Sequence, residues 1–152
     1  MNDTKDAVSF PISEFRTSRR VEFADTDMGG IVHFSRFFVF METAEHELLR
    51  TLGVEVHMEV DGHVVGWPRV DARCRYLSPA RLGDELEILV RVRKKGRSSM
   101  VYEMDFSIAG KTIARGRTAS VCCLLDGAEG LKPIALPAAV AAGLTEASPQ
   151  SG

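Results

Sequence analysis

The stretch Val21-Glu22-Phe23-Ala24-Asp25-Thr26-Asp27-Met28-Gly29-Gly30-Ile31-Val32-His33-Phe34 decides the fold, because it separates two patterns of different period. Its centre, two acids followed by two glycines, is turn chemistry: short acidic side chains bond nearby backbone, and glycine accepts the conformations that a sharp reversal needs. Before it, Phe15, Thr17, Arg19, Val21 and Phe23 alternate with Arg16, Ser18, Arg20 and Glu22, a rough period of two that predicts a half-buried strand from Phe15 to Phe23. After it the period changes. Phe37, Met41, Ala44, Leu48 and Leu52 recur at spacings of four and three, with Ser35 as a cap and Gly53 as a stop, which predicts one long helix. Phe38, Phe40 and Leu49 widen its apolar face beyond a stripe, so a sheet must wrap much of the helix.

Working outward, residues 54–67 read as a loop punctuated by Asp61-Gly62 and Gly66. Three alternating runs follow: Val70, Ala72, Cys74, Tyr76; then Leu86, Ile88, Val90, Val92; then Met100, Tyr102, Met104, Phe106, Ile108. A tight connection at Ala109-Gly110-Lys111 leads to a last strand running to about Leu125. Its residues Ala114, Gly116, Thr118, Ser120 and Cys122 share one face and are all small, which lets a sheet close on a thick helix. Strand, long helix and four antiparallel strands make an α+β domain with the helix on one face of a curved sheet. Unpaired sheet edges in such a unit favour pairing with a second copy, so a homodimer is the smallest expected assembly.

The 152 residues suit one domain, and 45% hydrophobic with 26% charged residues is the balance of an ordinary globular chain. Residues 1–12 read as a loose arm, 13–135 as the domain, and 136–152 as a short alanine-rich helix begun by Pro137 and a disordered tail from Glu146. A net charge of -2 excludes a generally basic nucleic-acid binder and restricts any anion site to a local patch. Cys74, Cys122 and Cys123 have neither metal-ligand spacing nor an even count for disulfides, which fits a reducing compartment. With no apolar signal segment and no window of membrane-spanning length, the expected location is the cytoplasm, without membrane insertion.

The stretch from Val21 to Phe34 resembles the signature of the 4-hydroxybenzoyl-CoA thioesterase-like hotdog family, in which an Asp-x-Asp turn precedes glycine, two apolar residues and the long helix. Met41-Glu42-Thr43-Ala44, the run from Arg75 to Asp84, and Gly96-Arg97-Ser98-Ser99 add to the likeness, which spans about residues 13–135. The resemblance implies a hotdog fold, one central helix wrapped by a five-stranded antiparallel sheet, paired into dimers with active sites at the subunit interface and often assembled into tetramers. It implies an acyl-CoA thioesterase, with coenzyme A entering as part of the substrate and no separate cofactor or metal. By position Asp27 matches the family's catalytic aspartate.

Thioester hydrolysis needs a carboxylate that attacks the carbonyl or activates water, and preorganised donors for the oxyanion that develops. The turn supplies Asp27, and the start of the helix supplies backbone N–H groups with a favourable dipole. The expected oxyanion donor is the N–H of Phe34, aided by Gly30, while attack and general-base routes for Asp27 both stay open. Asp25 reads as a turn stabiliser. The chain departs from the family in carrying His33-Phe34 where many members have Tyr-His, which puts the imidazole one position early and leaves His33 either a direct participant or a packed residue. Glu42 is the rival acid, with an ordinary pairing to His46 as its alternative role. For the phosphates of coenzyme A, Arg93, Lys94, Lys95, Arg97, Ser98 and Ser99 are expected to form a basic rim near the pocket, and Val65 and Trp67 to line the acyl group, with packing at a dimer seam as the alternative for Trp67. A non-catalytic acyl-CoA or acyl-carrier binding module is the alternative reading. A hotdog dehydratase ranks last, since its His-Phe-Pro-Gly stretch is missing.

Overall fold

The computed structural model describes residues 9–149. Strand β1 (Glu14–Arg20) leads through a single 3-10 turn (Phe23–Asp25) to helix α1 (Arg36–Thr51), then a hairpin of β2 (Met58–Val60) and β3 (His63–Gly66). Strands β4 (Arg69–Tyr76), β5 (Glu85–Lys95), β6 (Ser99–Ile108) and β7 (Lys111–Val121) follow, with short β8 (Cys123–Leu124), β9 (Lys132–Pro133) and helix α2 (Ala138–Gly143) at the end. The main sheet has the order β1-β5-β6-β7-β4 and is antiparallel throughout. Its concave face wraps α1, giving the α+β hotdog arrangement that the resemblance implied.

Phe37, Phe40, Met41, Ala44, Leu48 and Leu49 are buried along α1, against Leu86, Ile88, Val90, Met100, Met104 and Phe106 of the sheet. The small-residue face of β7 is what lets the helix come close. A Cβ added at Gly116 would lie 2.1 Å from the Met41 sulfur, so any side chain there displaces the core.

Several expectations change. The first strand ends at Arg20, because Glu22 and Asp25 cap one another around the 3-10 turn and pull Phe23 out of the sheet, leaving it 79% exposed. Ser35 occupies the N-cap position without a side-chain capping bond; its hydroxyl is 2.7 Å from the Nδ1 of His33 instead. Residues 54–67 are not a plain loop. Asp61 and Gly62, at φ 52° and 77°, form a two-residue turn between β2 and β3, and a second, small sheet runs in the order β2-β3-β8-β9. At the end of the expected arm, Ile12 is buried and exchanges backbone hydrogen bonds with Gly143 and Thr145. In the expected tail, Ala147 bonds to Val92, and Glu146 accepts from the Lys95 N–H. Positions 1–8 and 150–152 of arm and tail lie outside the described residues. Among those described, no helix is long and apolar enough to cross a membrane.

Candidate active site

The turn after the 3-10 segment separates two carboxylates. Asp25 is fully buried, accepts from the Glu22 N–H at 2.9 Å and from Arg36 at 2.9 and 2.8 Å, and its carbonyl takes the His33 N–H. It ties the turn to the first residue of α1. Asp27, two residues on, points outward and is exposed. One of its oxygens accepts the Gly29 N–H at 2.8 Å, and the other has no partner among the described residues. Gly30 sits at φ 76°, a conformation that closes the turn at no steric cost only for glycine.

Asp27 lines a cleft of about 480 Å³ with Ile31, Val32, Phe34, Phe37 and the segment Tyr76–Ala80. The walls are largely apolar. The Phe34 carbonyl accepts the Tyr76 hydroxyl at 2.8 Å, and burial pushes that phenol up to about 12, so it stays a proton donor at neutral pH. The Phe34 N–H has no acceptor among the described residues, whereas its neighbours at Val32, His33 and Arg36 are all engaged. Carboxylate and free amide therefore stand at the rim of one cleft beside the start of α1, the arrangement that acyl-transfer chemistry uses.

Other sequence candidates fall elsewhere. Gly30 is no oxyanion donor in this geometry, because its N–H already bonds the Asp27 carbonyl at 3.0 Å to close the turn. His33 stays outside the cleft lining: its Nδ1 accepts from Ser35, and its ring stacks on Phe34 with centroids 4.5 Å apart. Glu42 is exposed and lies 3.7 Å from His46 one turn on. The basic hairpin does not rim the cleft. Arg93 to Ser99 lie at the far end of β5 from the cleft, about 30 Å along an extended strand of that length. Lys95 is spent there, donating to the carbonyls of Ala141 and Leu144 at the end of α2, and Arg93 lies 3.6 Å from Glu103; Lys94 and Arg97 are exposed. Val65 and Trp67 are buried near the same far end and do not line the cleft either.

A family model described as the thioesterase superfamily matches residues 29–114, more than half of the chain. The chain belongs to the thioesterase superfamily. The match begins two residues after Asp27, but likeness to individual relatives extends further. The thioesterase is 32% identical to the acyl-CoA thioester hydrolase YbgC of Escherichia coli over 84% of this chain and 93% of that one. It is 28% identical to a 1,4-dihydroxy-2-naphthoyl-CoA hydrolase of Thermosynechococcus vestitus, over 91% and 94%. Among solved structures, the gentisyl-coenzyme A thioesterase BH1999 superposes with a TM-score of 0.74 at 28% identity, covering 84% of this chain and 99% of the other.

The thioesterase also holds a polar cluster that sequence reasoning misses. Glu45, 3% exposed in the middle of α1, takes a hydrogen bond from Thr118 of β7 through one oxygen and pairs with Arg69 of β4 through the other. Arg69 in turn donates to the Trp67 carbonyl at 2.7 Å. Burial pushes the Glu45 carboxyl above its ordinary value, against the pull of Arg69 and the Thr118 bond. Nothing local in the sequence marks Glu45 as buried, since its partners lie 24 and 73 residues away. Among the described residues, no three of His, Cys, Asp and Glu converge to hold a metal ion.

Proposed function

We propose that this thioesterase hydrolyses an acyl-CoA to the free acid and coenzyme A in the cleft beside Asp27. The observation that carries the reading is the shared placement of the Asp27 carboxylate and the unpaired Phe34 N–H on one apolar cleft. The thioester carbonyl oxygen takes the Phe34 N–H, and the charge that grows on it is held by that donor and by the dipole at the start of α1. Asp27 either attacks the carbonyl carbon, forming an anhydride that water then opens, or removes a proton from the attacking water. In both routes the carbon–sulfur bond breaks, and the thiolate leaves as coenzyme A once protonated. The names of the relatives, all hydrolases of CoA thioesters, support coenzyme A as the thiol carrier. No cofactor beyond the substrate enters the proposed reaction.

A second copy completes the assembly in this reading. The edge strand β4 carries exposed apolar residues, Val70 at 65% and Tyr76 at 44%, next to the equally exposed Leu77 and Phe34 of the cleft. Both edge strands expose two arginines, Arg16 and Arg20 on β1 and Arg73 and Arg75 on β4, so the exposed apolar residues beside the cleft are what single out β4. Antiparallel pairing of β4 with its copy across a two-fold axis makes a continuous sheet. It also turns the partner's basic hairpin toward the end of the sheet that holds this subunit's cleft, within reach of an extended pantetheine arm. Lys94 and Arg97 then serve the phosphates in trans. The three cysteines, free in this structure, fit the cytoplasm.

A thiol-release assay over a panel of acyl-CoAs, run on the wild type beside Asp27→Asn, tests the proposal. The amide keeps the shape and removes the negative charge, and turnover should fall at least about 100-fold. Wild-type rates in the variant would move the chemistry to another acid such as Glu42. Binding of acyl-CoA with no release from any thioester would favour the non-catalytic module.

A further inference from the structure

Phe34 carries the proposed oxyanion donor, yet little at its own position holds it still. Its side chain is 63% exposed, so burial does not anchor it, and Ser35 makes no side-chain capping bond for the helix that follows. The first backbone groups of a helix have no partner within it, so bonds from outside must fix them. On one side of Phe34 these bonds come from the backbone. The His33 N–H donates to the Asp25 carbonyl at 2.9 Å, and the His33 carbonyl, which shares a peptide with the Phe34 N–H, accepts from the Arg36 N–H at 2.9 Å. On the other side the Phe34 carbonyl is passed over by its usual helical partner. The Phe38 N–H, which a regular turn would aim at it, goes to the Ser35 carbonyl at 3.2 Å. The Tyr76 hydroxyl takes that place, donating to the Phe34 carbonyl at 2.8 Å.

Tyr76 is held for this task by the core. Its ring meets Phe37 edge to face with centroids 5.4 Å apart, and Phe37 meets Phe106 and Phe40 in the same way at 5.3 and 5.7 Å. All three phenylalanines are buried. Next to the tyrosine, the N–H groups of Leu77 and Ser78 both donate to the Ile113 carbonyl and tie the end of β4 to the start of β7. A hydroxyl on a packed ring at the end of a paired strand is a rigid donor. With the carbonyls of His33 and Phe34 both pinned, the two backbone dihedrals of Phe34 keep little freedom, and its N–H keeps one direction. That matters for catalysis, because a donor already in place costs no reorganisation as charge develops. We infer that Tyr76 is a positioning residue whose hydroxyl, by bonding the Phe34 carbonyl, preorganises the Phe34 N–H for the oxyanion and acts through that amide rather than through a bond to the substrate. The inference rests on the thioester hydrolysis proposed above and adds to it the side chain that keeps the donor in place.

The test uses the acyl-CoA that the wild type hydrolyses fastest in the panel above. Tyr76→Phe keeps the packed ring and removes the hydroxyl. It should lower kcat about 10-fold or more, part of what the loss of a whole oxyanion donor costs, and leave KM within about 2-fold, because the weakened bond is one that strengthens in the transition state. Tyr76→p-aminophenylalanine restores a weaker donor at the same place and should recover most of the loss. The second readout is the infrared stretch of the thioester carbonyl, labelled with carbon-13, in substrate bound to Asp27→Asn. Adding Tyr76→Phe to that variant should move the band to higher frequency, since a misdirected N–H polarises the carbonyl less. A rise in KM at unchanged kcat would make the hydroxyl a substrate contact, and a fall in kcat with an unmoved carbonyl band would place its effect away from the oxyanion. Either result overturns the inference while leaving thioester hydrolysis intact, as would wild-type kinetics in Tyr76→Phe or no recovery with p-aminophenylalanine. A wild type inactive on the whole panel, or Asp27→Asn as fast as the wild type, would instead sink the thioesterase reading on which the inference stands.

Discussion

At the N-terminal end of α1, Asp27 stands in solvent with one oxygen held by a turn amide and the other unpaired, while in the middle of the same helix Glu45 is 3% exposed with both oxygens engaged. The first end is open and lightly tied. The second is closed, and it joins the helix to β4 and β7. A carboxylate meant to meet a substrate must keep a free lone pair in an accessible place, whereas a buried one persists only with partners that offset its desolvation. Asp25 makes the contrast sharper, since it lies two residues from Asp27 yet is treated as Glu45 is, with Arg36 in the place of Arg69.

The comparison is broken most directly at Asp27. Asp27→Asn should remove about 100-fold or more in turnover and leave the thermal midpoint where it was, because the side chain carries little of the fold; a large drop in midpoint would put Asp27 with the buried acids. Asp25→Ala should behave in the opposite sense. It leaves the Arg36 guanidinium without its partner and should cost about 3 kcal/mol of unfolding free energy in urea denaturation, with loss of activity following from a loosened turn. For Glu45 the pH dependence is the sharper probe. Burial holds its folded-state value above that of the unfolded chain, so through that window the folded protein keeps a proton that the unfolded chain has released. Wild-type stability should therefore decline as pH rises through the window, and Glu45→Gln, which has no proton to lose, should lack that decline when the two are compared by denaturation at a series of pH values. The smallest effect belongs to the hairpin: Lys94→Ala with Arg97→Ala should raise KM for acyl-CoA several-fold with kcat retained, as expected when binding common to ground and transition states is removed.

Much of this contrast is readable in the residues alone, and the part that is not has a physical reason. The change from period two before Asp25 to period three and four after Ser35 marks β1 and α1, and the small face of β7 marks where the helix approaches. Asp27 and Phe34 fall in one short stretch, so their meeting at a helix start depends on local geometry only. Glu45 is different. On a helix it reads as one polar residue among several, and its burial follows from Arg69 and Thr118, which only the completed sheet brings to it. The hairpin at 95–97 shows the same limit from another side: its charge is visible in the sequence, but its distance from the cleft follows from the direction in which β5 runs. The β2–β3 hairpin carried its signal in Asp61-Gly62, yet with strands of three and four residues the flanking alternation is too short to weigh against a loop.

One last consequence concerns how the molecule is attached to other things. Ile12 and residues 143–147 are laced together beside Val92, near the Lys95 end of β5, and Asp27 opens at the other end. A tether carried past Pro149 therefore leaves from the side remote from its own subunit's cleft, which in the antiparallel dimer proposed above is the side that meets the partner's cleft, so immobilisation through that end sets the anchor beside the neighbouring mouth.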